Sequence, residues 1–231
     1  MFREIANFFA RIWKAPDLRK KVLITALILV IFRLVTFIPV SGVNREALKT
    51  LFGGSPLLSL LDVFSGGTLA NFSIMALGLN PYINASIVLQ LLTFVIPQLD
   101  ELTKEGEYGQ EKINQYTRIL TVPLAFVQSF GIYAILSRQG ILGVLDPVSL
   151  VALVLTMTAG TMLSVWMGEL ITEYGLGNGV SFLIFAGIVS RLPVSLGSFG
   201  QTFSPESLPQ IGLFAALAVS IIALVVFINE A

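Results

Sequence analysis

Six apolar stretches separated by polar segments dominate this sequence of 231 residues. A helix needs about 20 apolar residues to cross the roughly 30 Å of hydrocarbon in a bilayer, where the backbone must satisfy its own hydrogen bonds. Hydrophobic residues make up 55% of the chain and charged residues 12%, whereas a soluble domain has about 25% charged residues. The sequence therefore predicts an all-α, polytopic transmembrane helix bundle. The predicted spans are 21–38, 73–96, 119–137, 148–168, 173–192 and 210–228.

The chain contains neither cysteine nor histidine. This composition excludes disulfides, thiolate catalysis, the Ser-His-Asp triad and the commonest zinc sites. Basic and acidic residues number 14 each, so the net charge gives no indication of nucleic-acid binding. The sequence also lacks a glycine-rich phosphate loop followed by lysine. We expect no enzyme activity, no metal, no cofactor and no direct contact with nucleic acid.

The distribution of lysine and arginine predicts the orientation of the bundle, because basic residues in short flanks stay in the cytoplasm. Nine lie in the N-terminal flank and in the connection between the second and third predicted spans, against four on the opposite side. The N-terminus is therefore expected in the cytoplasm. Phe2, Ile5 and Phe9 recur at helical spacing among basic residues, which predicts an amphipathic interfacial helix over 1–20. Residues 1–231 are expected to form one membrane domain.

Residues 55–70 include an apolar segment that is too short to cross a bilayer. Its leucines and Phe64 permit about two turns of helix, which Ser65, Gly66 and Gly67 would end. A short apolar helix must bury its surface, either as a re-entrant element between spans or at the membrane interface. The residues alone leave both alternatives open.

The second predicted span carries polar residues near its middle. Asn80 and Asn84 are four residues apart and share one helix face, next to the apolar pair Leu79 and Ile83. An amide without a partner in hydrocarbon costs several kcal/mol, so this face has to meet another helix or water. Two interpretations stand: packing through interhelical amide hydrogen bonds, or a helix that lines a cavity.

Two connections have distinctive compositions. Residues 98–117 are polar and charged, which is typical of a solvated cytoplasmic loop and of a docking segment for a cytoplasmic partner. Glycines at positions 175, 177 and 179 flank Asn178 between two predicted helices, and they indicate a sharp backbone turn.

Two stretches resemble the characteristic segments of the bacterial SecY family. They are 73–92, SIMALGLNPYINASIVLQLL, and 166–183, WMGELITEYGLGNGVSFL. Residues 61–67, LDVFSGG, and 112–118, KINQYTR, also resemble family segments. The resemblance extends over nearly the whole chain. It implies a fold of ten spans in two pseudo-symmetric halves, of which this sequence matches the first half plus the sixth span, so we expect the sequence to be a fragment.

The resemblance implies roles for individual positions. A pore ring is implied at Leu79, Ile83, Val180 and Ile184. A plug is implied within 55–70, which favours the re-entrant alternative, at Leu60, Leu61, Phe64, Ser65, Gly66 and Gly67. A lateral gate that binds signal sequences is implied at Asn84, Ile87 and Gln128. A contact surface for a cytoplasmic partner is implied at Lys104, Lys112 and Arg118.

The same resemblance implies the pore-forming subunit of the Sec protein-conducting channel in the bacterial plasma (inner) membrane. The implied partners are the SecE and SecG subunits, the SecA motor or the ribosome, a polypeptide with a signal sequence, and membrane lipid. A different class also fits the residues, because inverted-repeat secondary transporters place broken helices and amides at mid-depth. Such carriers usually place ionisable residues there too, and few lie at that depth in this chain.

Overall fold

A computed structural model describes residues 15–40, 67–69, 71–140, 145–190 and 208–230, together with positions 48, 50, 54, 62, 142, 193 and 197. These residues form helices and turns, with an isolated β-bridge between Pro39 and Ser73. The helices are α1 (Pro16–Val35), α2 (Asn80–Val95), α3 (Pro97–Lys104), α4 (Glu107–Arg138), α5 (Pro147–Tyr174), α6 (Gly179–Val189) and α7 (Leu208–Glu230). The expected all-α fold class is confirmed.

The chain divides into two compact units, Met1–Arg191 and Leu192–Ala231. The expectation of one membrane domain stays a prediction. In the first unit, α5 packs against α1, α4 and α6, and α2 packs against α4. Helix α5 buries residues along most of its length, from Leu153 to Ile171. The second unit contains α7, whose apolar stretch Ile211–Asn229 has none of its residues buried, as expected of a helix surrounded by lipid.

The segment 71–79 is not helical, although the sequence predicts a span over 73–96. Its backbone makes successive turns, in which the Ser73 N–H donates to the Thr68 carbonyl and the Ile74 N–H donates to the Ile38 carbonyl, both at 3.0 Å. Phe72 has a φ of +45°, a left-handed value outside the α-helical region. Helix α2 begins only at Asn80, with a proline in its first turn, where a missing N–H leaves no hydrogen bond unmade.

The turn segment is buried against α5. Met75 and Ala76 are both 0% exposed. A Cβ atom added to Gly160 of α5 would lie 2.0 Å from the Ile74 carbonyl oxygen, so only glycine permits this approach. Non-helical backbone is tolerated at membrane depth where protein buries it or where it lines a cavity. The absent side chain of Gly160 therefore provides the space that the turn segment occupies.

Helices α2 and α3 meet at a bend of 105°. Pro97 has no amide N–H, and it excludes the residue before it from the helical region; Ile96 accordingly has φ −104° and ψ 108°. The connection predicted over 98–117 is largely helical, since it contains most of α3 and the first turns of α4. Its cytoplasmic location stays a prediction.

Two predicted segments lie largely outside the described residues. Of the interfacial helix predicted over 1–20, the part from Pro16 onward is described, and it belongs to α1, which continues into the first predicted span. Of the plug predicted over 55–70, Gly67 is among the described positions. The plug positions outside the described part are Leu60, Leu61, Phe64, Ser65 and Gly66.

Within the described residues, three helices are long and apolar enough to cross a membrane: α4, α5 and the stretch Ile211–Asn229 of α7. The bent pair of α2 and α3 provides a fourth when it is treated as one span. Helix α6 has 11 residues and is shorter than the span predicted over 173–192, because residues 175–178 form the turn that precedes it. The assignment of six spans stays a prediction.

The seat of the turn segment on α5 is tested by replacing Gly160 with alanine. We expect Gly160→Ala to lower the free energy of unfolding in detergent by about 1–3 kcal/mol, because the new methyl group would overlap the Ile74 carbonyl. Gly131→Ala in α4 is the matched control, since a Cβ atom there has no other atom within 4 Å. Equal stabilities of the two variants would show that the turn segment does not rest on Gly160.

Candidate functional site

A cavity of about 460 Å³ lies among α1, the beginning of α2, α4 and α6. Its apolar lining comes from five side chains: Phe32, Leu79, Ile83, Leu183 and Ile184. Its polar lining consists of three amides: Asn80, Asn84 and Gln128. Gly78 and Gly187 complete the wall. Among the described residues, no acidic or basic side chain lines this cavity, so its surface offers apolar contact and amide hydrogen bonds without a fixed charge.

The structure brings together three of the four residues predicted for a pore ring. Leu79 faces the cavity from the turn just before α2, Ile83 faces it from the first turn of α2, and Ile184 faces it from α6. Val180 belongs to the same apolar cluster as Leu79 but is not among the lining residues. It packs on α5, where one of its methyl groups fills the space that a side chain on Gly168 would occupy.

The residues predicted for a lateral gate are split. Asn84 and Gln128 line the same cavity as Leu79, from α2 and α4 respectively. Ile87, one turn further along α2, is 49% exposed and does not line the cavity. The amides therefore lie on the side of the cavity that α2 and α4 build, and Ile87 lies on the surface nearby. The roles of these residues stay predictions.

The late start of α2 places the apolar and amide residues around one space. Because the segment before Asn80 is not helical, Gly78 and Leu79 reach the cavity from a turn, whereas Ile83 and Asn84 reach it from the first turns of the helix. Helix α6 starts just after the glycine-rich turn, and the Asn178 side chain caps it by accepting the Ser181 N–H at 3.1 Å. No pattern in the sequence singles out Phe32 or Leu183, which look like ordinary apolar span residues.

The three basic residues predicted to contact a cytoplasmic partner have different surroundings. Lys104 donates to Asp100 at 2.6 Å in α3, and this hydrogen bond raises the pKa of Lys104. The Lys112 ammonium lies 5.7 Å from the ring centre of Tyr108, within the range of a cation–π contact. Both side chains belong to the segment around the α2–α3 bend and the start of α4.

Arg118 makes a contact between helices. Its Nε and Nη2 atoms donate to Oε1 of Glu169 at 3.1 and 2.6 Å, so the pair links α4 to α5. The Arg118 side chain is 48% exposed and the Glu169 side chain 30% exposed. A guanidinium that donates twice to one carboxylate oxygen is held more firmly than a single bond would hold it. Arg118 therefore has a structural contact in addition to its predicted role.

The described end of the predicted plug is anchored in protein. Gly67 is buried and has a φ of +87°, a left-handed conformation that favours glycine. Its N–H donates to the Asp62 carbonyl at 2.8 Å, and its carbonyl accepts from the Asn71 side chain at 3.0 Å. The turn that follows joins the buried segment before α2.

Comparison with known proteins identifies relatives of this chain. The SecY family model matches residues 73–231. The protein translocase subunit SecY of Streptomyces scabiei is 44% identical over 239 residues, covering 96% of this chain and 54% of the relative. The SecY subunit of Corynebacterium glutamicum is 45% identical, covering 93% and 50%. That of Pseudomonas aeruginosa is 47% identical over 211 residues, covering 88% and 47%.

Two solved structures share the fold at low sequence identity. A protein-conducting channel superposes with a TM-score of 0.53 at 19% identity, covering 83% of this chain and 41% of the other. Sec61 in the canine ribosome–channel complex from the endoplasmic reticulum gives the same score and identity, covering 83% and 42%. The chain spans about half the length of the curated relatives that it matches. The apolar helices and the SecY relatives together indicate that this chain is part of a multi-pass membrane protein.

The Arg118–Glu169 contact is tested by a double-mutant cycle with Arg118→Gln, Glu169→Gln and the double variant. We expect a coupling free energy of about 0.2–1 kcal/mol, because both side chains are partly exposed and water screens the pair. Unfolding in mixed detergent micelles measures it, and added salt should reduce it. The pair Lys104–Asp100 within α3 is the control and should couple more weakly. A coupling free energy of zero would contradict the interhelical contact.

Proposed function

Because the chain belongs to the SecY family, we propose that it builds part of the pore of the Sec protein-conducting channel. In this proposal the channel translocates unfolded secretory proteins across the bacterial plasma (inner) membrane. It also releases membrane proteins sideways into that membrane. The N-terminus lies in the cytoplasm. The chain contributes no catalytic step and holds no metal or cofactor, so the energy for movement comes from a partner.

The observation that carries the proposal is the lining of the cavity. Ile83 and Ile184 converge on it from two helices and Leu79 from the turn before α2, and no charged side chain among the described residues faces it. A narrow apolar constriction excludes ions because water leaves it readily. The apolar side chains of the lining also offer a sliding polypeptide neither a hydrogen bond nor an ion pair that would retain it. These two properties are what a channel for unfolded chains needs.

The amides supply the second half of the proposal. Asn84 and Gln128 lie on the α2 and α4 side of the cavity, and Ile87 is exposed nearby. A signal sequence has an apolar core with polar peptide ends, so it is suited to a seam between an apolar surface and amide groups. We assign the lateral gate to this side. The plug, within 55–70, is proposed to close the pore from the outer side of the membrane, opposite the cytoplasm.

The proposed partners follow from the chemistry of the exposed segments. Lys104 and Lys112 lie on the polar connection around α3, where a cytoplasmic motor such as SecA or a translating ribosome would dock. Arg118 is proposed to take part from its position on α4. The SecE and SecG subunits and lipid are proposed to cover the apolar surfaces of the helices.

The alternative, a secondary transporter for a small solute, has less support. Carriers of this kind bind ions and polar substrates through ionisable groups or broken helix ends at mid-depth. The cavity in this chain has an apolar and amide lining, and the relatives are named translocase subunits. A wide range of unfolded chains fits such a lining better than one solute does.

The proposal is tested by thiol crosslinking in the full-length protein. The 231 residues of this sequence contain no cysteine that would compete with an introduced one. Ile184→Cys is combined with a secretory polypeptide that carries one cysteine and is stalled during translocation. We expect a disulfide that forms only with the engaged polypeptide, because Ile184 lines the cavity. Phe185→Cys is the matched control, since the Phe185 side chain follows Ile184 in the sequence, is 62% exposed and lies outside the cavity lining.

Two results would contradict the proposal. Equal crosslinking at positions 184 and 185 would show that the polypeptide does not follow the cavity. Accumulation of a small solute in vesicles, without a crosslink at position 184, would favour the carrier.

A further inference from the structure

The glycine-rich turn between α5 and α6 is held by a side chain from α1. The Leu176 N–H donates to the Thr25 hydroxyl oxygen at 3.1 Å, across 151 positions of sequence. Thr25 is 5% exposed and lies on the face of α1 that also buries Ile28 and Phe32. An otherwise unpaired backbone group of the turn thus receives its partner from another helix.

The Thr25 hydroxyl both donates and accepts a hydrogen bond in this arrangement. It donates to the Lys21 carbonyl at 2.9 Å within α1, which leaves its oxygen to accept from Leu176. Its distance to the turn depends on Gly175, because a Cβ atom at position 175 would lie 2.5 Å from the Thr25 oxygen. The missing side chain of Gly175 therefore allows the hydroxyl to reach the backbone of the turn.

A second threonine holds the other end of the same turn. The Gly179 N–H donates to the Thr172 hydroxyl oxygen at 2.9 Å, and that hydroxyl donates to the Gly168 carbonyl at 3.0 Å. Helix α6 starts at Gly179 and carries Ile184 into the cavity two turns or less later. Two hydroxyls, one from α5 and one from α1, therefore hold the turn that leads into α6, in addition to the packing of α6 on α5.

We propose that Thr25 is a positioning residue for the pore, which holds α6 so that Ile184 and Leu183 stay in the cavity wall. The proposal rests on the function proposed above. Thr172 lies on α5, which runs directly into the turn, so the Thr172 hydroxyl moves together with the turn. Thr25 gives the turn a direct hydrogen bond to α1, whose Phe32 lines the same cavity. Loss of the Thr25 hydroxyl should therefore loosen the wall of the pore on the α6 side.

The first test is local and uses variants of one shape. Thr25→Val keeps the branched side chain and removes the acceptor, and Thr25→Ser keeps the hydroxyl. We expect amide hydrogen exchange at Leu176, followed on peptides from 175–179, to be about tenfold faster in Thr25→Val and within about twofold of wild type in Thr25→Ser. Thr121→Val is the matched control, because the buried Thr121 hydroxyl donates only within α4, to Thr117 at 2.7 Å.

The second test measures the pore itself, as the ion leak of the resting full-length protein in planar bilayers. We expect a leak about threefold to tenfold above wild type in Thr25→Val, a wild-type leak in Thr25→Ser, and a wild-type leak in Thr121→Val. The thermal midpoints of the two valine variants are compared to separate a loose pore from a generally unstable protein. Should Thr25→Val fail to fold, Thr25→Cys takes its place, because a thiol is a weaker acceptor than a hydroxyl.

Unchanged exchange at Leu176 in Thr25→Val would overturn the proposal, and so would faster exchange with a wild-type leak, which would leave Thr25 a purely structural role. These results are independent of the function itself. Absence of the Ile184→Cys crosslink in the wild-type background would refute the pore, whereas a normal crosslink with an unaltered Thr25→Val leak would refute only the role of Thr25.

Discussion

The fold depends on one constraint: the stretch of backbone before α2 is not helical, yet it lies in a chain otherwise suited to hydrocarbon. The peptide groups in that stretch need partners, and several find them within the protein. Ile74 donates to Ile38, Ser73 donates to Thr68, and the Thr68 hydroxyl donates to the Ala76 carbonyl at 3.4 Å. The stretch then packs on α5 where Gly160 has no side chain. Without that burial, the stretch would have to continue as helix, and the geometry of the cavity would be lost.

The cavity is a consequence of this arrangement. Because α2 starts at Asn80, its first turn presents Ile83 and Asn84 beside Leu79 of the preceding turn, rather than as the middle of a continuous helix. Helix α6 likewise starts only after a non-helical turn, where backbone N–H groups donate to the Thr25 and Thr172 hydroxyl oxygens. Both α2 and α6, each of which follows a non-helical segment, thus contribute apolar side chains to the cavity lining. The interior of this unit depends on glycines and threonines because both allow backbones of different helices to approach closely.

Much of this was accessible from the sequence, and the rest was not, for physical reasons. The apolar stretches predicted the all-α class, and the Asn80 and Asn84 spacing left open a cavity-lining helix, which the structure has. The pore-ring and gate residues came from the family resemblance, and their roles stay predictions. Hydropathy could not show that 73–79 is non-helical, because buried turns and helices have the same composition when protein surrounds both. Hydropathy likewise could not predict the role of Thr25. A single threonine in an apolar helix is not distinctive, and its partner Leu176 lies 151 positions away. The helices within 98–117 were missed because their polar and charged composition is also typical of a solvated loop, although Leu99 and Leu102 share one face of α3.

We infer that the apolar cavity bordered by α2 and α6 is the path of an unfolded polypeptide. A cryo-EM map of the full-length protein with a translocating chain stalled in it tests this most directly. The account predicts continuous density for the extended chain in contact with Ile83 on one side and Ile184 on the other, with Asn84 and Gln128 beside it. Density for the chain elsewhere, with no chain density in the cavity, would contradict this path.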